Sequence, residues 1–232
     1  MTVMLSTRSL AKSFTLHLRG GVRMPVLSGI DIAVHAGECI VLSGPSGAGK
    51  STLMRSLYGN YRADSGAILV RHHGQMVDIA AADPRTILAV RRETLGFVSQ
   101  FLRVVPRVSA LDVVAEVLLA RGVAAATAAD KARTLLRRLH IPSRLHAIPP
   151  ATFSGGEQQR VNLARGFIAG LPILLLDEPT ASLDAENRSV VIAMIREARA
   201  SGTAIIAICH DADVREAIAD RLFTVTPFQD AA

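Results

Sequence analysis

The segment GPSGAGKS, residues 44–51, contains the residue types that bind a triphosphate. It fits the pattern G-x-x-x-x-G-K-[ST] at every position, follows the apolar run CIVLS and precedes a predicted helix. Glycine lets the backbone curl so that its N–H groups face phosphate oxygens, and the helix start favours negative charge. An ordinary glycine-rich turn is a poor alternative because the match is complete. The predicted ATP-binding residues are Gly44, Pro45, Ser46, Gly47, Ala48, Gly49, Lys50, Ser51 and Thr52.

Two of these residues have predicted roles in the chemistry. The ammonium group of Lys50 should neutralise the β- and γ-phosphates, and it is one of only three lysines in the chain, with Lys12 and Lys131. The hydroxyl of Ser51 should ligate Mg²⁺, which prefers oxygen ligands. We therefore predict ATP and Mg²⁺ as the ligands of this loop.

Two acidic residues, Asp177 and Glu178, follow the apolar run ILLL at 173–176. Ligands of parallel sheets bind at the carboxyl ends of the strands, where both acids would emerge. We predict that Asp177 holds Mg²⁺ and that Glu178 orients the attacking water or accepts its proton. Acids that merely cap the next helix are the alternative, and the phosphate loop in the same chain favours the catalytic interpretation.

Gln100 and His210 each end a predicted strand, LGFVS and AIIAIC respectively. A glutamine at that place can reach Mg²⁺ or the nucleophilic water, and a histidine can donate a hydrogen bond to the γ-phosphate or to the water. From spacing alone, a surface glutamine is the better interpretation of Gln100. For His210, a catalytic and a structural role are equally compatible with the sequence.

A second glycine-rich turn, FSGGEQQR, occupies residues 153–160. Ser154 and Glu157 form a capping box by sequence, and a well-capped helix is the simplest interpretation. However, each glycine in a first turn costs about 1 kcal/mol relative to alanine. Gly155 and Gly156 leave backbone N–H groups unshielded at the positive end of a helix, which suits a second anion. We predict a head-to-tail dimer in which this turn caps the γ-phosphate held by the other chain.

Length and composition restrict the function classes. The chain has 232 residues, half of them hydrophobic, but no apolar run long enough to cross a bilayer. The N-terminus lacks a signal-peptide pattern, so we expect a cytoplasmic protein without direct membrane insertion. The net charge of +6 comes mainly from arginine. No basic run is interleaved with aromatic residues, so nucleic acid is not an expected partner. The two cysteines are read as reduced core residues, and the histidine spacing predicts no zinc site.

The chain alternates short apolar runs with helical patterns, which predicts a parallel sheet covered on both faces. Short strands and turns are expected in residues 1–36, with Gly20, Gly21 and Pro25 marking a loop. Two apolar runs at 67–70 and 76–79 flank a predicted hairpin turn. An Ala-, Leu- and Arg-rich helical stretch at 107–147 reads as an inserted subdomain.

Taken in order and spacing, these motifs resemble an ATP-binding-cassette (ABC) ATPase over essentially the whole chain. The resemblance implies an α/β fold: a P-loop NTPase ABC nucleotide-binding domain with a RecA-like core, an N-terminal antiparallel β subdomain and a helical subdomain inserted at about 101–165. It implies that Gln100 and His210 contact the γ-phosphate region, that Gln100 also reaches the metal, and that Phe14 stacks on adenine. The remaining implied site residues are the signature, Ser154, Gly155, Gly156 and Glu157, and the D-loop, Ser182, Leu183 and Asp184.

Four segments, at 13–27, 54–61, 98–114 and 151–168, resemble more narrowly the PhnL family, the ABC-type subunits of the bacterial phosphonate carbon–phosphorus lyase system. This resemblance implies a role in alkylphosphonate catabolism, associated with formation of ribose 1-phosphonate 5-triphosphate. The implied partners are soluble subunits of that complex and a second ABC ATPase, either a copy of this chain or a related one.

Two other functions remain open from the sequence. The alternative is the ATP-binding motor subunit of a membrane transporter of the lipoprotein- or macrolide-export type, docking through residues 101–115, because the general ABC motifs do not distinguish it. A nucleic-acid-handling ABC protein of the repair or translation type is a third possibility. Such proteins carry long coiled-coil insertions or two cassettes in one chain, and this sequence has neither.

Overall fold

The computed structural model describes residues 1–16, 21–102 and 106–228. The strands are β1 (Val3–Leu16), β2 (Val22–Ile30), β3 (Ala33–His35), β4 (Cys39–Ser43), β5 (Ser65–His72), β6 (Gln75–Asp78), β7 (Leu95–Val98), β8 (Ile173–Asp177), β9 (Ala204–Ile208) and β10 (Arg221–Thr224). The helices are α1 (Lys50–Leu57), α2 (Pro84–Glu93), α3 (Ala110–Leu119), α4 (Ala125–Arg138), α5 (Gly155–Phe167), α6 (Ala185–Ala200) and α7 (Ala212–Ile218).

A parallel sheet of five strands, in the order β10-β4-β9-β8-β7, forms the centre of the molecule. Every residue of β8 and β9 is buried, as expected for strands with helices on both faces. The predicted α/β fold with a parallel sheet is therefore confirmed. Because the strands are parallel, their carboxyl ends all meet at one edge of the sheet.

A second, antiparallel sheet is built from the N-terminal part of the chain, in the order β2-β1-β5-β6, with β3 also paired to β1. The prediction that Pro25 marks a loop is wrong, since Pro25 lies inside β2 and opposite Ser13 of β1. Proline is tolerated there because β2 is an edge strand and needs no second ladder bond. Gly21 directly precedes β2, and Gly20 lies outside the described residues.

The predicted hairpin joins β5 to β6 through the two residues His73 and Gly74. Both have left-handed backbone conformations, with φ of 48° and 82°. A two-residue turn with positive φ at both positions matches the twist of the flanking strands. The turn therefore holds the His73 backbone in a conformation that side-chain-bearing residues seldom adopt.

Helices α3 and α4 lie in the predicted helical stretch and pack against α5. Val114, Ala132 and Val161, one from each helix, are fully buried in one apolar cluster that also contains Val98 of β7. Helix α5 contacts both this helical layer and the parallel sheet, so it does not mark a boundary between the two. The subdomain boundaries at about 101 and 165 therefore stay a prediction.

The sequence patterns did not reveal helix α2. Its start has clear local causes, since the Asp83 carboxylate accepts hydrogen bonds from the backbone N–H groups of Arg85 and Thr86, and Pro84 occupies the first turn. Within the described ranges, no helix is both long enough and apolar enough to span a bilayer.

Candidate functional site

The predicted catalytic residues lie at the carboxyl edge of the parallel sheet. The phosphate loop follows β4, and Gln100 comes two residues after β7. Glu178 directly follows β8, and His210 comes two residues after β9. These four strands are neighbours in the sheet, so residues far apart in sequence meet at one place.

The phosphate loop has the backbone that only glycine adopts easily. Gly44, Gly47 and Gly49 have φ of 132°, 79° and 97°. A Cβ atom on Gly44 would overlap the carbonyl oxygen of Val225, and one on Gly49 would lie 3.1 Å from the carbonyl oxygen of Val26. At Gly47 a Cβ atom would meet nothing within 4 Å, so this glycine is required for its conformation and not for packing.

The side chain of Lys50 folds over the phosphate loop and is largely buried. Its Nζ atom donates to the carbonyl oxygens of Gly44 and Pro45 at 2.7 and 2.9 Å. An ammonium has three protons, so these two bonds fix its position and leave one donor for a phosphate oxygen. The geometry therefore fits the predicted role of Lys50.

Asp177 ends β8 and is only 4% exposed. Burial raises the pKa of its carboxyl group, and the neighbouring Glu178 carboxylate raises it further, whereas Arg55 and His210 oppose the shift. A buried carboxylate with a raised pKa is stabilised by a cation, and the oxygens of Ser51, Gln100 and Asp177 are of the type that Mg²⁺ binds. The residues present therefore fit a magnesium ion.

Glu178 is held from two sides. One of its carboxylate oxygens lies 2.9 Å from Nε2 of His210, and the other accepts a hydrogen bond of 3.4 Å from Nε2 of Gln100. Its backbone has a φ of 53°, and its carbonyl oxygen accepts a hydrogen bond of 3.3 Å from Nε2 of Gln159. Such backbone strain is typical of functional positions, and the surrounding contacts fix the carboxylate in one orientation.

The signature turn forms the capping box predicted from its sequence. The Ser154 N–H donates to the Glu157 carboxylate at 2.9 Å, and the Glu157 N–H donates back to the Ser154 hydroxyl. A Cβ atom on Gly155 would meet nothing within 4 Å, so the first turn of α5 is open to solvent at this point. A Cβ atom on Gly156 would lie 2.9 Å from the carbonyl oxygen of Ser182.

The D-loop lies between β8 and α6. Ser182 has a φ of 63°, Leu183 is buried, and the Asp184 carboxylate caps α6 by accepting from the backbone N–H of Asn187 at 2.8 Å. The structure thus joins the signature to the D-loop at Gly156 and Ser182. Among the hydrogen bonds and ion pairs of the described residues, none joins 154–157 to the phosphate loop of the same chain.

Phe14 lies on β1 of the antiparallel sheet. Its ring packs edge-to-face against Tyr61 with centroids 5.2 Å apart, and Nζ of Lys12 lies 5.2 Å from its centroid. The Tyr61 hydroxyl accepts a hydrogen bond of 2.9 Å from Arg55. Lys12, Arg55 and Tyr61 occupy none of the predicted ATP-binding or catalytic positions, and no sequence pattern indicated that they lie around Phe14.

A cleft of 540 Å³ lies next to Gln100, between α1, β7 and α5. Four aromatic residues and two arginines contribute to its wall. The lining residues are Arg55, Tyr58, Asn60, Tyr61, Phe97, Ser99, Gln100, Phe101, Asn162, Arg165 and Asp177.

Comparison with known proteins decides the family. The sequence model described as "ABC transporter" matches residues 27–181, two thirds of the chain. The chain belongs to the ABC transporter family. It is thus an ABC-type, P-loop ATPase, and the predicted ATPase activity is confirmed at the level of the family. The fold agrees: the ATP-binding cassette MJ0796, in a dimer bound to ADP and phosphate, superposes with a TM-score of 0.87 at 23% identity, covering 96% of this chain and 94% of that one.

The curated relatives of this ABC ATPase include export proteins. It is 38% identical over 195 residues to the pyoverdine export ATP-binding/permease protein PvdT of Pseudomonas aeruginosa, and 34% identical over 211 residues to the macrolide export ATP-binding/permease protein MacB of Salmonella choleraesuis. These matches cover 84% and 91% of the chain but only 29% and 31% of the relatives. The chain therefore spans under a third of their length. Neither relative is described as a phosphonate protein, so the comparisons favour the export alternative over the narrower phosphonate resemblance.

Proposed function

We propose that this ABC ATPase works as a head-to-tail dimer that encloses two ATP molecules and uses their hydrolysis to move a partner complex. The observation that carries the proposal is the carboxylate of Glu178, fixed by His210 and Gln100 at the sheet edge that also carries the phosphate loop. A carboxylate in one orientation, beside a triphosphate site, is suited to position a water molecule for attack.

In the proposed mechanism, Lys50 and the N–H groups of residues 44–52 hold the β- and γ-phosphates. Glu178 accepts a proton from the attacking water while the water oxygen bonds to the γ-phosphorus and the bond to the bridging oxygen of ADP breaks. His210 and Gln100 keep the carboxylate aligned. Ser51, Gln100 and Asp177 would hold Mg²⁺, which neutralises charge on the phosphate oxygens when bound.

The open first turn of α5 supports the dimer. Gly155 exposes backbone N–H groups at a helix start, and within the described residues no hydrogen bond or ion pair links this turn to the chain's own phosphate loop. A partner chain's γ-phosphate is an anion that such a site would bind. The partner chain is either a second copy of this chain or a related ATPase.

The test uses Glu178→Gln, which keeps the size of the side chain and removes the base. We expect ATP hydrolysis to fall by about 10²- to 10⁴-fold, the usual contribution of a general base. ATP binding should persist, and the variant should form a stable dimer in ATP and Mg²⁺ on size-exclusion chromatography. Unchanged hydrolysis in this variant would contradict the mechanism, and a monomer at saturating ATP would exclude a dimer of two copies of this chain.

For the partner, we propose first the membrane-embedded part of an export system. The support is the similarity to the export ATP-binding/permease proteins PvdT and MacB, over 84% and 91% of this chain. The cleft beside Gln100 supplies a place next to the ATP site where a partner segment can dock. Residues 101, 102 and 106–115 are the described part of the surface predicted for this contact, since 103–105 lie outside the described residues.

The soluble carbon–phosphorus lyase complex is a second candidate partner. It is supported by the four segments that resemble the PhnL family, and most specifically by the loop after Phe14 and the run SQFLRVVPR at 99–107. Residues 17–20 and 103–105 of these segments lie outside the described residues. This proposal rests on sequence resemblance and not on a phosphonate site in the structure.

One affinity purification distinguishes between the two candidate partners. Glu178→Gln, with an affinity tag, is isolated in ATP and Mg²⁺ from native cells grown on a phosphonate as the sole phosphorus source. Recovery of soluble carbon–phosphorus lyase subunits supports the second proposal, and recovery of integral membrane permease subunits supports the first. Glu178→Gln combined with Lys50→Ala, which should not bind ATP, is the control for contacts that do not require the closed dimer.

A further inference from the structure

The side chains of His72, His73 and Glu93 meet on the antiparallel sheet, away from the residues assigned to ATP. One potential ligand atom from each residue lies within 4.8 Å of the other two. His72 is the last residue of β5, His73 begins the turn to β6, and Glu93 is the last residue of α2. The histidine spacing alone predicted no zinc site, because the carboxylate comes twenty positions later and only the fold brings it to the histidines.

We propose that these three side chains bind one divalent transition-metal ion of the zinc type. Two imidazoles and one carboxylate form a donor set that zinc binds well, with a further position left for water. Mg²⁺ prefers oxygen ligands and an octahedral shell, so the magnesium that accompanies ATP should not compete. The site is independent of the proposed ATPase mechanism.

The two histidines are oriented for this role. Nδ1 of His72 lies 2.6 Å from the hydroxyl oxygen of Thr94, which leaves Nε2 of that ring for a metal. A hydrogen bond to the second ring nitrogen is the usual support of a metal-binding histidine. The left-handed backbone of His73 places its ring beside that of His72, with centroids 4.1 Å apart, and its Nε2 atom lies 2.8 Å from the Glu93 carboxylate.

Two arginines reduce the affinity that this donor set would otherwise have. Nε of Arg92 lies 3.5 Å from the Glu93 carboxylate, and Arg92 and Arg121 line the same 270 Å³ cavity as His73 and Glu93. Their charges repel a cation. We therefore expect moderate affinity, and we expect Arg92→Gln to bind zinc more tightly than the parent protein.

The test is isothermal titration of the metal-free, full-length protein with ZnCl₂, together with thermal unfolding at each zinc concentration. We expect one zinc ion per chain and a melting temperature that rises with zinc, since a ligand of the folded state stabilises it. His73→Asn is the main variant, because asparagine tolerates the left-handed backbone and the fold should be kept. This variant and Glu93→Gln should each weaken zinc binding by more than about 100-fold, and Thr94→Val by about 10- to 100-fold.

His35 provides the matched control. Its Nδ1 atom also lies 2.8 Å from a carboxylate, that of Glu38, but no second histidine among the described residues joins this pair. His35→Gln should leave the zinc affinity unchanged. No zinc binding by the parent protein would overturn the proposal, as would zinc binding that His35→Gln weakens as much as His73→Asn does.

Discussion

The imidazole of His210 lies 2.9 Å from the carboxylate of Glu178, although 65% of the His210 side chain is exposed. Such an exposed side chain can move away from the largely buried Glu178 without disrupting the core. We therefore expect the contact to contribute little to folding, and we propose that it orients the carboxylate.

We expect His210→Ala to lower kcat for ATP hydrolysis by roughly 100-fold, because Glu178 loses one of its two side-chain contacts and the water loses a donor. The Kd for ATP should stay within about threefold, since Lys50 and the loop amides still bind the phosphates. Single-turnover hydrolysis and fluorescence titration with a labelled nucleotide measure the two quantities. Loss of ATP affinity with normal turnover would show that His210 binds substrate and does not align the base.

The two signature glycines should behave differently when changed to alanine. Gly155→Ala meets no neighbour and gains about 1 kcal/mol of helix propensity, so its melting temperature should be unchanged or higher. It should nevertheless lose ATP-dependent dimerisation, because the added methyl group shields the turn that receives the partner's phosphate.

Gly156→Ala is the companion variant. Its methyl group would press on the Ser182 carbonyl at 2.9 Å, so we expect a destabilisation of roughly 1–3 kcal/mol and a displaced D-loop. Urea unfolding and size-exclusion chromatography of both variants test the pair. A Gly155→Ala protein that dimerises normally would remove the main support for the head-to-tail arrangement.

Asp177→Asn should stabilise the nucleotide-free protein at neutral pH. The folded state raises the pKa of Asp177 above its ordinary 3.8, so the folded chain binds this proton more tightly than the unfolded chain does. The folded state is therefore destabilised as the pH rises from the unfolded-state pKa of 3.8 to the higher folded-state pKa. Above the folded-state pKa the full destabilisation is present. Asparagine does not ionise, so the variant avoids this destabilisation. The difference in unfolding free energy between the variant and the parent should be largest at pH 7 and should vanish below about pH 3.8.

Urea denaturation across this pH range, without Mg²⁺ or nucleotide, measures the effect. Magnesium-dependent ATP hydrolysis should fall to background in the same variant. A variant that is less stable than the parent at pH 7 would show that the Asp177 carboxylate is already compensated in the nucleotide-free protein.

The contact between Phe14 and Tyr61 predicts a change in KM. Tyr61→Ala removes the edge-to-face partner of Phe14, an interaction of about 0.5–1.5 kcal/mol, so KM for ATP should rise about two- to tenfold with kcat unchanged. Tyr61→Phe keeps the ring contact and removes only the bond from Arg55, and its KM should stay near that of the parent. Steady-state kinetics with both variants, and with Phe14→Ala as the reference, decide whether Phe14 contacts the nucleotide.

The motifs with fixed local geometry could be predicted from the sequence. Lys50, the capping box of Ser154 and Glu157, and the strand before Asp177 are all where their patterns placed them, because each depends on neighbours within a few residues. The supporting contacts could not be predicted. Gln159 reaches the Glu178 carbonyl across nineteen positions, and only the packing of α5 against the sheet creates that bond.

Helix α2 and strand β2 are two elements that the sequence analysis missed or misread. The start of α2 depends on Asp83 and Pro84, a local capping signal in a segment that the sequence analysis assigned to no element. Pro25 reads as a loop residue by type, and it is acceptable in β2 only because that strand has a free edge, which is a property of the sheet.

The close approach of α5 to β7 has a consequence for the kinetics of the proposed dimer. A Cβ atom on Gly166 would overlap Cγ2 of Val98, so the absence of a side chain lets the helix lie against the strand, and Nδ2 of Asn162 donates to the Ser99 carbonyl at 2.6 Å. In the proposed dimer, the helix that offers Gly155 to one nucleotide would thereby be fixed to the strand that leads to Gln100, the residue proposed to contact the other nucleotide. ATP binding at one site should then raise the ATP affinity of the other. We therefore expect the dependence of the hydrolysis rate on ATP concentration to be sigmoidal, with a Hill coefficient above one.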